Sequence, residues 1–492
     1  MFQTICDLIP RDPDYPERTR TLDLLRRVLD GTLYDALPYA FHEERTAGGE
    51  YVPLRLRRPA VRYALSRVVV EDSVALLFSE GHFPRIDSPD RAVRDLLAAV
   101  AREARLNLVM TEAALRGAVG SVALWLRVLR GRVFVSVLDT AYLTPVWQPE
   151  APDTLASVTE RYKVSGAALV AQGYEIADVS AVYWFMRRWN AEREVWFLPQ
   201  PVGASGAPVE DEARSVRHGL GFVPLVWVRN LPGGNGIDGA CTFRAAVETG
   251  IEIDYQLSQA GRGLKYSSDP TLLIREPAGV DGDMVRGAAN ALVVSEKGDA
   301  KLLEIGGTAA EAVIGYVRTL REFALESVHG NRSDASRLSA AASGRALELM
   351  NQGLIWLADN LRVSYGEGGL LQLARMILRA GQRYALRVGG QRVEALDAEA
   401  PLSLVWPDWY PPTAADREAQ ARTLTTLVGA RQISRETALA ALAGSYGITD
   451  IPGELARIAD EAGAAGDAGV AGDTGAGGDA GGTTDTATGE NA

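Results

Sequence analysis

Asp238-Gly-Ala-Cys-Thr-Phe-Arg-Ala-Ala-Val-Glu-Thr-Gly-Ile-Glu-Ile-Asp-Tyr-Gln-Leu-Ser-Gln-Ala-Gly-Arg-Gly263 and Thr308-Ala-Ala-Glu-Ala-Val-Ile-Gly-Tyr-Val-Arg-Thr-Leu-Arg-Glu-Phe-Ala-Leu-Glu-Ser-Val328 decide how this chain is built. The first places Phe243, Val247, Ile251, Tyr255 and Leu257 close to one helical stripe. As a single helix it would be about 39 Å long. The second opens on Thr308-Ala-Ala-Glu311, the pattern of a capping box, and has Gly330 beyond its end as a stop. The stretch between them, 264–307, is short and mixed. It suggests strands at 271–275, 291–295 and 301–305 around Pro277-Ala-Gly-Val-Asp-Gly-Asp. Two long rods flanking a small mixed module make a poor self-contained domain, and their apolar sides need neighbours.

Working outward, residues 1–237 read as helices followed by a mainly antiparallel sheet. Helical spacing runs from Thr21, from Val61, from Ser88 to Arg105 and from Leu106 to Ala118. Val122-Ala-Leu-Trp-Leu-Arg-Val-Leu, a turn at Arg130-Gly131, and Arg132-Val-Phe-Val-Ser-Val-Leu predict a hairpin. Further strands are expected at 141–147, 156–164, 179–188 and 194–199, with Val223-Pro-Leu-Val-Trp-Val-Arg-Asn as a buried strand. On the other side, 329–343 reads as a loop. A third long helix spans about 344–363, is broken by Tyr365-Gly-Glu-Gly-Gly, and is followed by a shorter one to Ala380. Residues 381–412 suggest strand pieces and the turn Trp406-Pro-Asp-Trp-Tyr-Pro-Pro; helices follow at 414–430, 434–443 and 452–462. From Gly463 the chain is Gly/Ala/Asp/Thr-rich with nothing to bury, which predicts disorder over 463–492. The fold class is α+β.

With 492 residues and 47% hydrophobic content the chain can build substantial cores, about three domains' worth. Acids outnumber bases 63 to 51, a formal charge of −12, so bulk charge does not hold nucleic acid and any such contact must be local. Two cysteines, Cys6 and Cys241, exclude a disulfide scaffold and suit a reducing compartment. The N-terminus lacks the basic and apolar regions of a signal peptide, and no apolar run approaches the roughly 20 residues of a membrane span. These features predict a chain that is soluble and intracellular when made.

Tests for chemistry find little. Gly234-Asn-Gly236-Ile-Asp-Gly239 follows an apolar strand, precedes a helix, and has Glu276 after the next strand, the order of a dinucleotide-binding fingerprint. Leu231-Pro-Gly233 intervenes, however, and no βαβ series follows. A flexible joint into a capped helix is the plainer reading. The four histidines and two cysteines have no metal-ligand spacing, and neither a nucleophile elbow nor a phosphate loop is present. No catalytic residue, cofactor or metal is therefore expected. Trp406, Trp409 and Tyr410 could offer a binding platform, though such clusters more often pack a junction. Arg332 and Arg337, in the loop after the second rod, would be ordinary solvated arginines in a monomer. Repeated around a symmetry axis they would form a positive belt able to touch phosphates.

Taken together, Gly117-Ala-Val-Gly-Ser-Val-Ala-Leu-Trp-Leu, Val137-Leu-Asp-Thr-Ala-Tyr-Leu-Thr-Pro-Val, Gly219-Leu-Gly-Phe-Val-Pro-Leu-Val-Trp-Val-Arg-Asn, Ile253-Asp-Tyr-Gln-Leu-Ser-Gln-Ala, Ser343-Gly-Arg-Ala-Leu-Glu-Leu, and Gln432-Ile-Ser-Arg-Glu-Thr-Ala-Leu with Glu454-Leu-Ala-Arg-Ile-Ala-Asp-Glu carry a likeness. In this order, over about residues 50–462, the chain resembles the portal proteins of tailed bacteriophages, of the siphovirus type. The resemblance implies a wing (1–237 and 344–412), two stem helices (238–263 and 308–328), a clip (264–307), a tunnel loop (329–343) and a crown (413–462). It further implies a dodecameric ring at one capsid vertex, assembled in the host cytoplasm and carried in the virion. Double-stranded DNA would pass through the ring and could meet Arg332 and Arg337. Its other partners would be the terminase large subunit, a head-tail adaptor and the major capsid or scaffolding protein, with no membrane involved. Lys265, Lys297 and Lys301, at or in the clip, are candidate partner contacts. The rivals are a dinucleotide-dependent enzyme using 234–239 and a scaffold protein that forms no ring.

Overall fold

The computed structural model describes residues 1–79, 81–268, 271–277, 294–303, 308–330, 348–394, 396–410, 413–446, 448 and 450–470. They fall into two compact units, the first ending at Trp409 and the second running on from Tyr410.

The first unit opens with α1 (Phe2–Leu8), α2 (Glu17–Leu29), α3 (Leu65–Phe78), α4 (Arg91–Glu103) and α5 (Leu106–Gly117). α4 is capped by the Asp90 side chain, which accepts from the Ala92 N–H, and it buries Val93, Leu96, Leu97 and Val100. These helices pack on a three-stranded antiparallel sheet. Its central strand is β1 (Ser121–Leu129), flanked by β2 (Arg132–Asp139) and the later β9 (Leu225–Arg229). β1 is covered on both faces: Val122, Leu124 and Leu126 join the helical core, while Ala123 and Trp125 join a second cluster with Val158, Trp189 and Trp227. Burial on both sides is why its sequence is a near-continuous apolar run. The β1–β2 turn puts Arg130 at φ 53° and Gly131 at φ 83°, the left-handed pair a tight two-residue hairpin requires.

A second sheet follows in the order β3 (Leu143–Gln148), β4 (Ala151–Ser165), β5 (Val182–Asn190), β6 (Arg193–Trp196) and β8 (Val216–Arg217); β7 (Gln200–Pro201) also pairs with β5. The short helix α6 (Gly166–Ala171) links β4 to β5.

Four boundaries differ from the sequence reading. The first rod, α7, spans Val247–Ser268, after a single 3₁₀ turn at Arg244–Ala246, in place of 238–263. Its expected first turns are held as a loop, because the Asn230 side-chain amide donates to the Ala240 carbonyl and the Thr242 hydroxyl. At the far end the helix continues through Gly261 and Gly263 to Ser268. Between the rods, β10 (Thr271–Pro277) pairs antiparallel with one strand, β11 (Val294–Leu303), where two separate strands were expected. The second rod, α8, covers Thr308–Ser327, close to its expected span.

The third difference is at Tyr365-Gly-Glu-Gly-Gly. No break occurs there: α9 (Gln352–Leu361) continues through a π-helical stretch, Arg362–Leu371, into α10 (Gln372–Arg383). Each helical glycine costs about 1 kcal/mol, but packing outweighs this. Tyr365 is fully buried, and its hydroxyl donates to Asn230 Oδ1. A Cβ on Gly366 would stand 2.5 Å from the Trp406 ring, so the glycine lets the two pack.

The second unit contains α11 (Ala414–Gly429), started by a reciprocal Thr413–Asp416 capping box, then α12 (Arg435–Tyr446) and α13 (Ile451–Val470). α13 runs past Gly463 to Val470, where disorder was expected; Ala462, Ala464, Ala465 and Ala468 favour the helix and alternate with the unfavourable Gly463, Gly466 and Gly469. Residues 471–492 lie outside the described residues.

Candidate functional site

α7 is rooted by polar groups that its neighbours satisfy. Asp254 accepts from the Tyr34 hydroxyl at 2.8 Å and from the Tyr63 backbone N–H at 2.7 Å. Burial pushes its carboxyl above the ordinary aspartate range, although these donors and Arg62 pull the other way. The Tyr255 hydroxyl donates to the Arg57 carbonyl at 2.8 Å, and the Val61 N–H donates to the Ser258 hydroxyl at 3.0 Å. At its start, Glu248 accepts from the N-terminal ammonium and the Phe2 N–H. Segment 57–63 is thereby stitched along one side of the rod.

α8 packs on α7 and α3 through Val317, Leu320, Ala324 and Leu325, with Val328 just beyond its end. Arg321 adds a hydrogen bond to the Tyr63 hydroxyl. Beside this packed face, Tyr316 and Phe323 stand seven residues apart on one stripe, 49% and 62% exposed. Leu349, Trp356 and Val363 repeat the seven-residue spacing and are more than half exposed. Sequence reasoning found that the rods need neighbours but not these residues. The signal was there: α8 carries apolar or aromatic side chains around most of its circumference.

The glycine loop lacks the geometry of a dinucleotide site. β9 ends at Arg229 and α7 begins at Val247, so no helix N-terminus meets the glycines. The loop closes on itself instead. A Cβ on Gly234 would stand 2.2 Å from the Asp238 carbonyl oxygen, and one on Gly239 would stand 2.5 Å from that of Leu231. Asp238 takes a bidentate pair from Arg18, both contacts at 2.7 Å, plus the Ser121 hydroxyl at 2.5 Å. Burial alone would raise its carboxyl, but Arg18, Ser121 and Asn235 outweigh it and hold it below the ordinary range. A cavity of about 540 Å³ lies alongside, lined by Arg18, Asp238 and Cys241 among others. Its ion pair is internally satisfied, and burial lifts the Cys241 thiol to about 12, far from a reactive thiolate at neutral pH.

The other candidates are placed as follows. Lys265 is exposed near the end of α7, and Lys297 and Lys301 both fall in β11, the latter opposite Leu273. Arg332 and Arg337 lie outside the described residues. Trp406 and Trp409 form no open platform: Arg362 stacks over both rings, at 4.7 and 3.2 Å, and Trp406 also packs on Phe78. His82 Nε2–H donates to the Trp409 carbonyl and its Nδ1 pairs with the Ser79 hydroxyl, closing the same junction. Among the described residues no group of side chains could hold a metal, and no helix is long and apolar enough to cross a membrane.

A family model described as "Phage portal protein, SPP1 Gp6-like" matches residues 34–467. The chain belongs to this family. It is a phage portal protein, the connector at the portal vertex of the virion, and its family is a structural one. No curated protein matches this portal chain. Among solved structures it is similar to a chain from "Neck of native GTA particle computed with C12 symmetry", at 13% identity and TM-score 0.38, covering 77% of this chain and 88% of that one. A chain from "Virion of native gene transfer agent (GTA) particle" gives 14%, 0.37, 77% and 88%, and one from "Neck of empty GTA particle computed with C6 symmetry" gives 14%, 0.35, 77% and 89%. Scores this low add nothing to the family match. Arg332, Arg337, Lys265, Lys297 and Lys301 are candidates of this portal chain from the sequence alone.

Proposed function

We propose that copies of this chain close into a ring, with α7 and α8 as the stem around a channel for double-stranded DNA. The observation that carries this reading is the pair of naked aromatic side chains, Tyr316 and Phe323, on a rod whose other face is already packed. Large rings left in water at this spacing favour a neighbouring copy, and a head-to-tail contact that closes makes a ring. The strand pair β10–β11 joins the two rods and serves as the clip, where Lys265, Lys297 and Lys301 meet the terminase large subunit during packaging and the head-tail adaptor afterwards. The wing holds the ring to the major capsid or scaffolding protein. A dodecamer is the count the family implies.

In this reading the chain is a conduit with no bond-breaking chemistry of its own. A wall that gripped phosphates along its whole length would hold the duplex, because each contact is an ionic attachment that must be broken for DNA to advance. A chain of charge −12 with a local belt at Arg332 and Arg337 lets it slide. The test is the mass and negative-stain image of the purified protein at micromolar concentration. Rings with an open centre are expected, and a stable monomer would sink the reading. In the assembled particle, Arg332→Glu with Arg337→Glu is expected to leave the ring intact and impair packaging or retention of DNA.

A further inference from the structure

The two faces of the β4–β5 pair treat their arginines oppositely. On the covered face, Arg187 is buried among Trp125, Trp189 and Trp196 and donates two hydrogen bonds to Glu160, with Glu194 also in reach. On the open face, the register sets Thr159 opposite Arg188, Arg161 opposite Met186 and Lys163 opposite Trp184. From Ser157 and Asn190 to Lys163 and Val182, that face of the pair carries no carboxylate. The register through β6 adds Arg193 and, on β8, Arg217.

Two of these cations are already neutralised from outside the face: Lys163 by Asp12 and Asp14, and Arg193 by Glu210. Among the described residues, no carboxylate bridges Arg161, Arg188 or Arg217. Arg161 sits over the Trp184 ring, its Cζ 3.9 Å from the centroid, and Arg188 donates its Nε–H to the Thr159 hydroxyl at 3.1 Å. The ring holds Arg161 and the hydroxyl takes the Nε–H of Arg188, and each guanidinium keeps its two terminal Nη groups for a two-point bond to an anion. With strands ~4.8 Å apart and ~3.4 Å per residue, the three form a diagonal about 20 Å long.

The anion they fit is a protein carboxylate. Apolar side chains interleave the stripe: Trp184 and Met186 are half-buried, while Val146 and Val182 at its margins are 50% and 46% exposed. Arginine, tryptophan and methionine together, with the adjoining Asp12, Asp14 and Glu210 already engaged by Lys163 and Arg193, are the composition of a protein–protein contact. A phosphate backbone would leave that apolar area unused. Three free cations on a chain of charge −12 also give it little hold.

We propose that the open face of β4–β5, through Arg161, Arg188 and Arg217 around Trp184 and Met186, docks a carboxylate-rich surface of a separate protein. The probe is a short fluorescein-labelled oligoglutamate, with a duplex DNA of similar charge beside it, read by anisotropy on the purified full-length protein. Because the three side chains are exposed, Arg161→Glu, Arg188→Glu and Arg217→Glu together should leave circular dichroism and oligomer mass as in the unmodified protein. Peptide affinity should then fall at least about tenfold, with a smaller loss for the corresponding triple glutamine variant, and duplex binding should not change. The proposal is overturned if the unmodified protein ignores the peptide or if the charge reversal leaves peptide binding intact. It is equally overturned if only duplex binding is lost, or if the oligomer itself dissolves, which would make this face a seam between copies.

Discussion

α7 and α8 have nearly equal length and lie against each other, yet α7 from Val247 to Ser258 is anchored in its own chain while α8 keeps two aromatic side chains in water. Along α7, Asp254, Tyr255 and Ser258 each have a partner in the surrounding chain, and Val247, Ile251 and Ile253 are buried. α8 satisfies one face against α7 and α3, while Tyr316 and Phe323 remain in water. Buried hydrogen-bonded carboxylates and hydroxyls fix a helix in a unique position, since displacing it would leave them unpaired. Exposed aromatics specify only that something apolar must arrive. The difference separates a root, which the chain completes by itself, from a surface awaiting another molecule.

The sharpest way to break the contrast is Tyr316→Ser with Phe323→Ser. Each contact between copies should lose about 2 kcal/mol per ring, and native mass should show the ring gone. Urea denaturation of the single chain should meanwhile shift by no more than about 1 kcal/mol. Intact rings from this variant would move the seam elsewhere.

On the rooted side the losses should appear in the single chain. Arg18→Met strands the buried Asp238 carboxylate and should cost about 3–5 kcal/mol in the same urea experiment. Asp254→Ala leaves the Tyr34 hydroxyl and Tyr63 N–H without their acceptor, costing about 2–3 kcal/mol. Asp254→Asn can still serve both groups and should recover most of that. If alanine and asparagine behave alike, the hydrogen bonds do not root the helix.

The two carboxyls should also respond to pH with opposite sign. Asp238 is held low in the fold, so its contribution is present above the ordinary aspartate value of 3.8 and is lost as pH falls through its depressed value. Asp254 is held high, so the fold binds its proton more tightly than the unfolded chain does. Its contribution is greatest below 3.8 and declines as pH rises through the elevated value. Denaturation midpoints across acid pH should therefore flatten in opposite directions for Asp238→Asn and Asp254→Asn. The smallest effect belongs to Glu248→Gln at the solvent-facing start of α7, within about 1 kcal/mol by thermal melting. A larger loss there would extend the root to the N-terminus.

Much of this was legible beforehand. The β1–β2 hairpin announced itself through two apolar runs around Arg130-Gly131, and α8 through its period and flanking glycine. What misled was local chemistry overruled at a distance. Tyr365-Gly-Glu-Gly-Gly reads as a helix break, but Asn230 and Trp406, remote in sequence, hold it helical. Asp238 to Phe243 reads as helix, but Arg18, Ser121 and Asn230 claim it as a loop. The glycines at 234–239 suggested a phosphate cradle, and only the chain's return against Leu231 and Asp238 explains them.

The amino-acid order alone settled the α+β class and the two rods with a mixed module between them, because periodicity and turn residues act over a few neighbours; the portal likeness came from the order of its motifs. Where α7 starts, which of its polar groups are paired, which aromatic side chains stay bare and which arginines lack an acid were decided only in three dimensions. Those properties depend on pairs such as Tyr34 with Asp254 and Arg18 with Asp238, 220 residues apart, whose meeting no local pattern encodes.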